Sequence, residues 1–115
     1  MAENKNLLPG STTMLLLKLL EDKDMYGYEM IEELEKRSNN TFSLKAGTLY
    51  PLLHNLERQE LINSYIENAD SSRVRKYYSI TAKGKGMLNE KRKEWDTYSF
   101  AINNVLQGGA NFAAI

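Results

Sequence analysis

The sequence predicts a mainly α-helical chain with one small β-hairpin: three short helices, two strands and a long fourth helix. Three observations carry this reading. Leu49, Leu52, Leu53 and Leu56 fall at i, i+3, i+4 and i+7, which is one face of an α-helix. Residues 64–67 and 76–80 are instead rich in β-branched and aromatic side chains with partial alternation. Finally, Leu88, Trp95 and Ile102 recur seven apart, and Tyr98 and Val105 lie three beyond the last two, an a/d seam that Lys91 interrupts.

The bounds set by composition are broad. A chain of 115 residues is long enough for one domain with a modest core and an added element for association. Its apolar fraction of 42% and charged fraction of 26% are ordinary for a globular protein. It has no cysteine, which excludes a disulfide framework, a thiol nucleophile and a zinc finger. No apolar run approaches the roughly 18 residues of a membrane helix, and the N-terminus lacks a signal-peptide pattern, so no membrane partner and a cytoplasmic location are expected.

Each element has a local reason. Residues 1–10 and 108–115 are expected to be flexible termini. Pro9 and Gly10 followed by Ser11, Thr12 and Thr13 read as a helix start with a hydroxyl cap. Residues 14–20 are apolar almost all round, so the first helix is buried on more than one side. A second subunit is one source of that cover, and a central place in a monomer core is the other. The second helix opens at Tyr26–Gly27–Tyr28 and runs to about Arg37, with Ile31 and Leu34 as its buried stripe. Gly27 weakens that helix by about 1 kcal/mol against alanine, which close approach of another backbone would justify.

Phe42 and Leu44 are expected in the core ahead of the third helix. Proline is tolerated in a first turn, so Pro51 places that helix start near residues 46–48. Glu60 would then follow the helix in a left-handed conformation at a cost of about 1 kcal/mol. Residues 68–73 are turn chemistry between the strands, which puts Arg73, Arg75 and Lys76 on or beside a hairpin tip. Thr81 caps the last helix, from Ala82 to Leu106. Its seam either dimerises, with the first helix joining it across the interface, or packs back on its own domain.

Net charge is zero, but it is unevenly spread. Residues 1–35 carry eight acids and three bases, and residues 36–93 carry five acids and twelve bases. The exposed face of the third helix offers Lys45, Thr48, Tyr50, Pro51, His54, Asn55 and Arg58. Hydroxyl, amide, imidazole and guanidinium groups can donate to phosphates and to base edges in a major groove, and the helix N-terminus suits a phosphate. Tyr77 and Tyr78 point to opposite faces of a strand, one to the core and one free for DNA or solvent. Three helices and a hairpin with a basic tip make a winged helix-turn-helix. Residues 11–81 would form this DNA-binding domain and residues 82–107 the dimerisation helix.

The chain resembles the PadR family of transcriptional regulators, and within it the short LmrR-type multidrug-sensing repressors. The resemblance is carried by Tyr26–Gly27–Tyr28, by the run from Gly47 through Leu53 to Leu56–Glu57–Arg58 and Leu61–Ile62, and by Arg75–Lys76–Tyr77–Tyr78–Ser79–Ile80–Thr81. Gly84 and Trp95 add to it, and it spans residues 11 to 107. It implies a homodimeric repressor, paired through helices 1 and 4, on double-stranded DNA with a palindromic operator. It places Thr48, Tyr50 and Pro51 in the DNA-facing motif and Arg75, Lys76 and Tyr77 in the wing. It also implies a flat aromatic effector at the dimer centre against Trp95, with Met14 and Lys18 on the facing helix. Lys18 would favour anionic or neutral ligands. The chain departs from the family in having Glu60 where glycine is usual and no glycine at the wing tip.

Other readings weigh against these. A lone tryptophan at an a position is more often core than ligand site. His54, the only histidine, is as readily solvated as bound to DNA, and without cysteine it builds no ordinary zinc site, so neither metal nor cofactor is expected. No serine–histidine–carboxylate spacing and no glycine-rich phosphate loop points to an enzyme. The alternative function is a winged-helix module that binds protein and no specific DNA. It would call for an acidic or apolar face on the third helix, which this one lacks.

Overall fold

The computed structural model describes residues 10–70 and 73–108. Its elements follow in the order α1 (Ser11–Asp22), β1 (Met25–Tyr26), α2 (Gly27–Arg37), α3 (Ala46–Arg58), β2 (Ile62–Asp70), β3 (Arg73–Ile80) and α4 (Ala82–Leu106). The strands form one antiparallel sheet in the order β1-β3-β2. This is the expected winged-helix arrangement with a long C-terminal helix. Most of both expected terminal segments, residues 1–9 and 109–115, lies outside the described residues.

In α1 the apolar pattern is resolved inside the chain. Leu16, Leu17, Leu19 and Leu20 are all buried, against α2, β3 and α4. No second subunit is needed to cover them, so the all-round apolar pattern reflects a central core helix. Met14 and Leu15 are only partly covered. The expected hydroxyl cap is not used: Gly10 stands at the cap with φ +89°, and Ser11 already belongs to the helix. At the other end, Arg37 of α2 donates to Asp22 at 2.7 Å and to Glu33 at 2.8 Å, tying α2 to α1.

The strand β1 is an addition to the expected hairpin. Met25 pairs with Tyr78 and Tyr26 with Tyr77, which sends the Met25 side chain into the core. The hairpin strands are also longer than their composition implies. Ile66 opposes Lys76 and Glu67 opposes Arg75. Arg75 and Lys76 therefore lie within β3 and away from the tip. Cross-strand pairs such as Glu67 with Arg75 favour continued pairing over a wide polar loop. Alternation puts Ile62, Ser64 and Ile66 on one sheet face with Ile80, Tyr78 and Lys76. Tyr65 and Glu67 share the other face with Tyr77 and Arg75.

α3 starts at Ala46 as expected, yet Pro51 then falls beyond the first turn. Its missing N–H removes the bond to the Gly47 carbonyl, and exposed Gly47 leaves that carbonyl open to solvent. Leu49, Leu53 and Leu56 are buried, and Leu52 is partly so. The helix ends as the sequence implies. Glu60 has φ +64°, the Leu61 amide donates to Leu56 O at 3.0 Å, and the Glu60 amide donates to Glu57 O at 2.9 Å. That is a Schellman motif with glutamate in the place that glycine fills most easily.

Thr81 caps α4, its hydroxyl oxygen accepting from the Gly84 amide at 2.9 Å. A Cβ on Gly84 would collide with the Leu61 carbonyl oxygen and lie 2.7 Å from Ile80 Cγ1, so the start of α4 is pressed against the turn after α3. Past Leu88, α4 leaves the core, and the molecule measures 69 × 35 × 20 Å. Among the described residues no helix is long and apolar enough to cross a membrane.

Candidate nucleic-acid interface

The outward face of α3 is built from residues that the buried leucine stripe leaves free. Thr48, Pro51, His54, Asn55 and Arg58 are all exposed and lie in rows three and four apart. Lys45, also exposed, is the N-cap in an extended conformation, and its carbonyl accepts from the Thr48 and Leu49 amides at 2.9 Å each. No side chain caps this end, and no acid stands in its first turn. The first-turn amides and the positive end of the helix dipole therefore face outward without an anionic partner.

Tyr50 differs from its neighbours. It is 40% exposed, and its ring lies against Gly27 at the start of α2. Burial pushes its hydroxyl pKa up, with the nearby Tyr28 adding to the effect. The close approach expected at Gly27 thus comes from a side chain and not from a backbone. Tyr28, overlooked in the sequence, is strongly exposed beside it. Beyond Tyr26 the chain turns into α2, so residues 74–76 of β3 pair with β2 on one side and have no strand on the side that β1 occupies further along. The space left there is a cleft of about 380 Å³ lined by Tyr26, Gly27, Tyr28, Tyr50, Val74, Arg75 and Lys76. The only clue to Tyr28 was its place at a helix start.

The wing residues divide between two faces. Lys76 is exposed on the face that also carries Tyr78, its ammonium 5.6 Å from the Tyr78 ring centroid. Tyr78 is the core member of the tyrosine pair, and burial raises its hydroxyl pKa. Tyr77 is not free: it stacks on Tyr65 at 5.7 Å and meets Tyr26 edge-on at 5.4 Å. The Arg75 guanidinium lies 4.4 Å from the Tyr26 ring centroid. The side chain of Arg73 lies outside the described residues.

A second site lies between α1 and α4. Gly10, Ser11 and Met14 face Lys91, Glu94, Trp95 and Tyr98 across a pocket of about 340 Å³. Met14 and Trp95 thus line one pocket, and Lys18 does not. Its ammonium is held by Glu21 at 3.1 Å and Asp22 at 3.3 Å, contacts that raise its pKa. Those acids lie one turn further along the same helix, so local pairing directs Lys18 away. Lys91, the residue that interrupts the heptad seam, supplies the pocket's cation. Further along α4, Tyr98, Phe100, Val105 and Leu106 are largely exposed. Among the described residues no group of histidine, cysteine and acids could hold a metal ion.

Comparison with known proteins gives this geometry its context. Residues 16–90 match the model of the transcriptional regulator PadR-like family. The chain is 37% identical over 103 residues to an uncharacterised protein of Lysinibacillus sphaericus, covering 90% of this chain and 94% of that one. It is 28% identical over 101 residues to the transcriptional regulator YqjI of Escherichia coli K12, covering 88% of this chain and 47% of that protein. Among solved structures, a PadR-like transcriptional regulator from Bacillus cereus superposes with a TM-score of 0.76 at 34% identity, over 85% of this chain and 93% of that one.

Proposed function

The chain belongs to the PadR-like family of transcriptional regulators, and on that premise we propose that it is a homodimeric repressor whose hold on a palindromic operator is set by a small aromatic ligand. Residues 11–81 form the DNA-binding domain, and residues 82–107 the dimerisation helix. The observation that carries the reading is the open face of α3. It has an uncapped N-terminus without acids and an exposed row that includes the donors Thr48, His54, Asn55 and Arg58, beside a hairpin bearing Lys76.

Lys45, Thr48 and the first-turn amides contact phosphate, while His54, Asn55 and Arg58 reach base edges in the major groove. Pro51 packs on the groove wall, and Tyr50, whose hydroxyl end is turned onto Gly27, offers DNA only the outer edge of its ring. Lys76 meets the flanking backbone. Two copies related by a two-fold axis would present their α3 helices about 34 Å apart for half-sites one turn apart.

Dimerisation is supported by the exposed apolar side chains on α4 from Trp95 to Leu106. The pocket at Met14 and Trp95 opens beside that surface, where a second copy would close it over a flat ligand, as in the LmrR-type proteins. Such a ligand shifts DNA binding only by as much as its affinity differs between the two dimer geometries.

Fluorescence anisotropy with duplex fragments from upstream of the chain's own gene, at two salt concentrations, tests the reading. Tight binding to one fragment that weakens steeply with salt is expected. Equal, weak binding to every fragment and to scrambled DNA would overturn it.

A further inference from the structure

The outer half of the hairpin has little beneath it. Among the described residues, Tyr78 is the outermost buried side chain on the core-side face, and Ser64 opposite it donates to Glu57 at 2.6 Å. Beyond them Ile66 is 62% exposed and Val74 64% exposed. A two-stranded ribbon without a packed face is only marginally ordered by its own pairing. What holds this one lies on the opposite face.

There the register sets Tyr26, Tyr77 and Tyr65 in one row across β1, β3 and β2. Arg75 closes the row at one end, over Tyr26. At the other end the Tyr65 hydroxyl donates to the Asp24 carboxylate at 2.7 Å. Asp24 belongs to the link between α1 and β1, so the bond ties the hairpin to the end of the core helix.

We infer that this row is a strap that sets the pitch of the hairpin relative to α3, and that Asp24, Tyr65 and Arg75 are positioning residues for DNA binding. The inference rests on the reading of α3 and the hairpin as the DNA surface. Lys76 stands on the face opposite Arg75, so the pitch decides whether Lys76 reaches the duplex that α3 engages. Stacked on Tyr26, Arg75 serves the strap and contacts no phosphate.

The test uses the full chain and the tightest duplex that the unmodified protein selects from a random pool. Tyr65→Phe and Asp24→Ala are expected to weaken binding about tenfold, the loss of one hydrogen bond to a charged group. Asp24→Asn keeps an oxygen that accepts from Tyr65 and stays within about twofold of the unmodified chain. Arg75→Ala weakens binding while the slope of log affinity against log salt is unchanged, whereas loss of a phosphate contact lowers that slope by about 0.9. Tyr65→Phe stays folded with unchanged oligomeric mass, its melting temperature lowered only by the loss of that one hydrogen bond.

A shallower salt slope in Arg75→Ala overturns the inference. So does binding by Asp24→Ala as tight as, or tighter than, the unmodified chain, the result if Asp24 acts only by repelling DNA. Failure of the unmodified chain to select any duplex overturns the DNA-binding reading itself, and the strap with it.

Discussion

The ring of Tyr50 occupies the space that a side chain at position 27 would need. A Cβ on Gly27 would lie 2.6 Å from Tyr50 Cζ and 2.9 Å from Cε1. The two residues therefore lock α3 against the start of α2, and with it the angle at which the exposed α3 face is presented. Gly27→Ala is expected to destabilise the fold by about 1–3 kcal/mol through overpacking, despite alanine's better helix propensity. Adding Tyr50→Ala should relieve the overpacking, leaving a coupling of about 0.5–3 kcal/mol in a double-mutant cycle measured by urea unfolding. Strict additivity would show that the contact carries no strain.

Glu60 holds a left-handed conformation at the end of α3. Glu60→Gly should stabilise the chain by about 1 kcal/mol, since glycine adopts that conformation without the Cβ penalty. Glycine's greater freedom in the unfolded chain offsets part of the gain. Chemical denaturation reads the difference, and a loss of stability would mean that the Glu60 side chain makes a contact worth more than the strain.

Leu17 and Val105 are both apolar, but one is buried in the chain and the other largely exposed. Leu17→Ala should lower stability by about 2–5 kcal/mol, as expected for a core cavity. Val105→Ser should leave the fold intact and shift a monomer–dimer equilibrium toward monomer, which sedimentation across a concentration series detects. An unchanged dimer would place the interface elsewhere.

Lys18 is paired with Glu21 and Asp22, and Lys91 lines the pocket beside Trp95. Lys18→Ala should leave the affinity of a flat aromatic dye unchanged. Trp95→Ala should abolish binding, measured by dye anisotropy because the tryptophan signal is lost with it. A large loss in Lys18→Ala would return that residue to the site.

The hydroxyl of Tyr65 is pushed up to about 12 by its hydrogen bond to Asp24. A folded-state value above the unfolded one means that the stabilisation is fully present below about pH 10 and is lost as pH rises toward 12. Phenolate absorbance should show one late-titrating tyrosine that disappears in Tyr65→Phe. In Asp24→Ala its titration should move down toward the ordinary tyrosine range.

Local chemistry let the sequence by itself determine much of this protein. The leucine stripe of α3, the Thr81 cap, the left-handed turn at Glu60 and the start of α4 each depend on residues within a few positions of one another. The open donor face of α3 follows from the same stripe, because a face left over from burial is exposed. The motif blocks were likewise enough to reveal the family.

Only the tertiary structure decided how distant segments share space. Burial of all four α1 leucines within one chain depends on α2, β3 and α4 arriving around that helix. The pairing of Met25 with Tyr78 creates a strand too short to carry any periodicity of its own. Arg75 joins the strand, and with it the face opposite Lys76, because pairing and not composition sets where the hairpin ends. Tyr50 spends its ring on Gly27, and Lys18 its charge on Glu21 and Asp22. In each case a residue type compatible with binding was claimed by a neighbour that only packing and pairing geometry bring within reach.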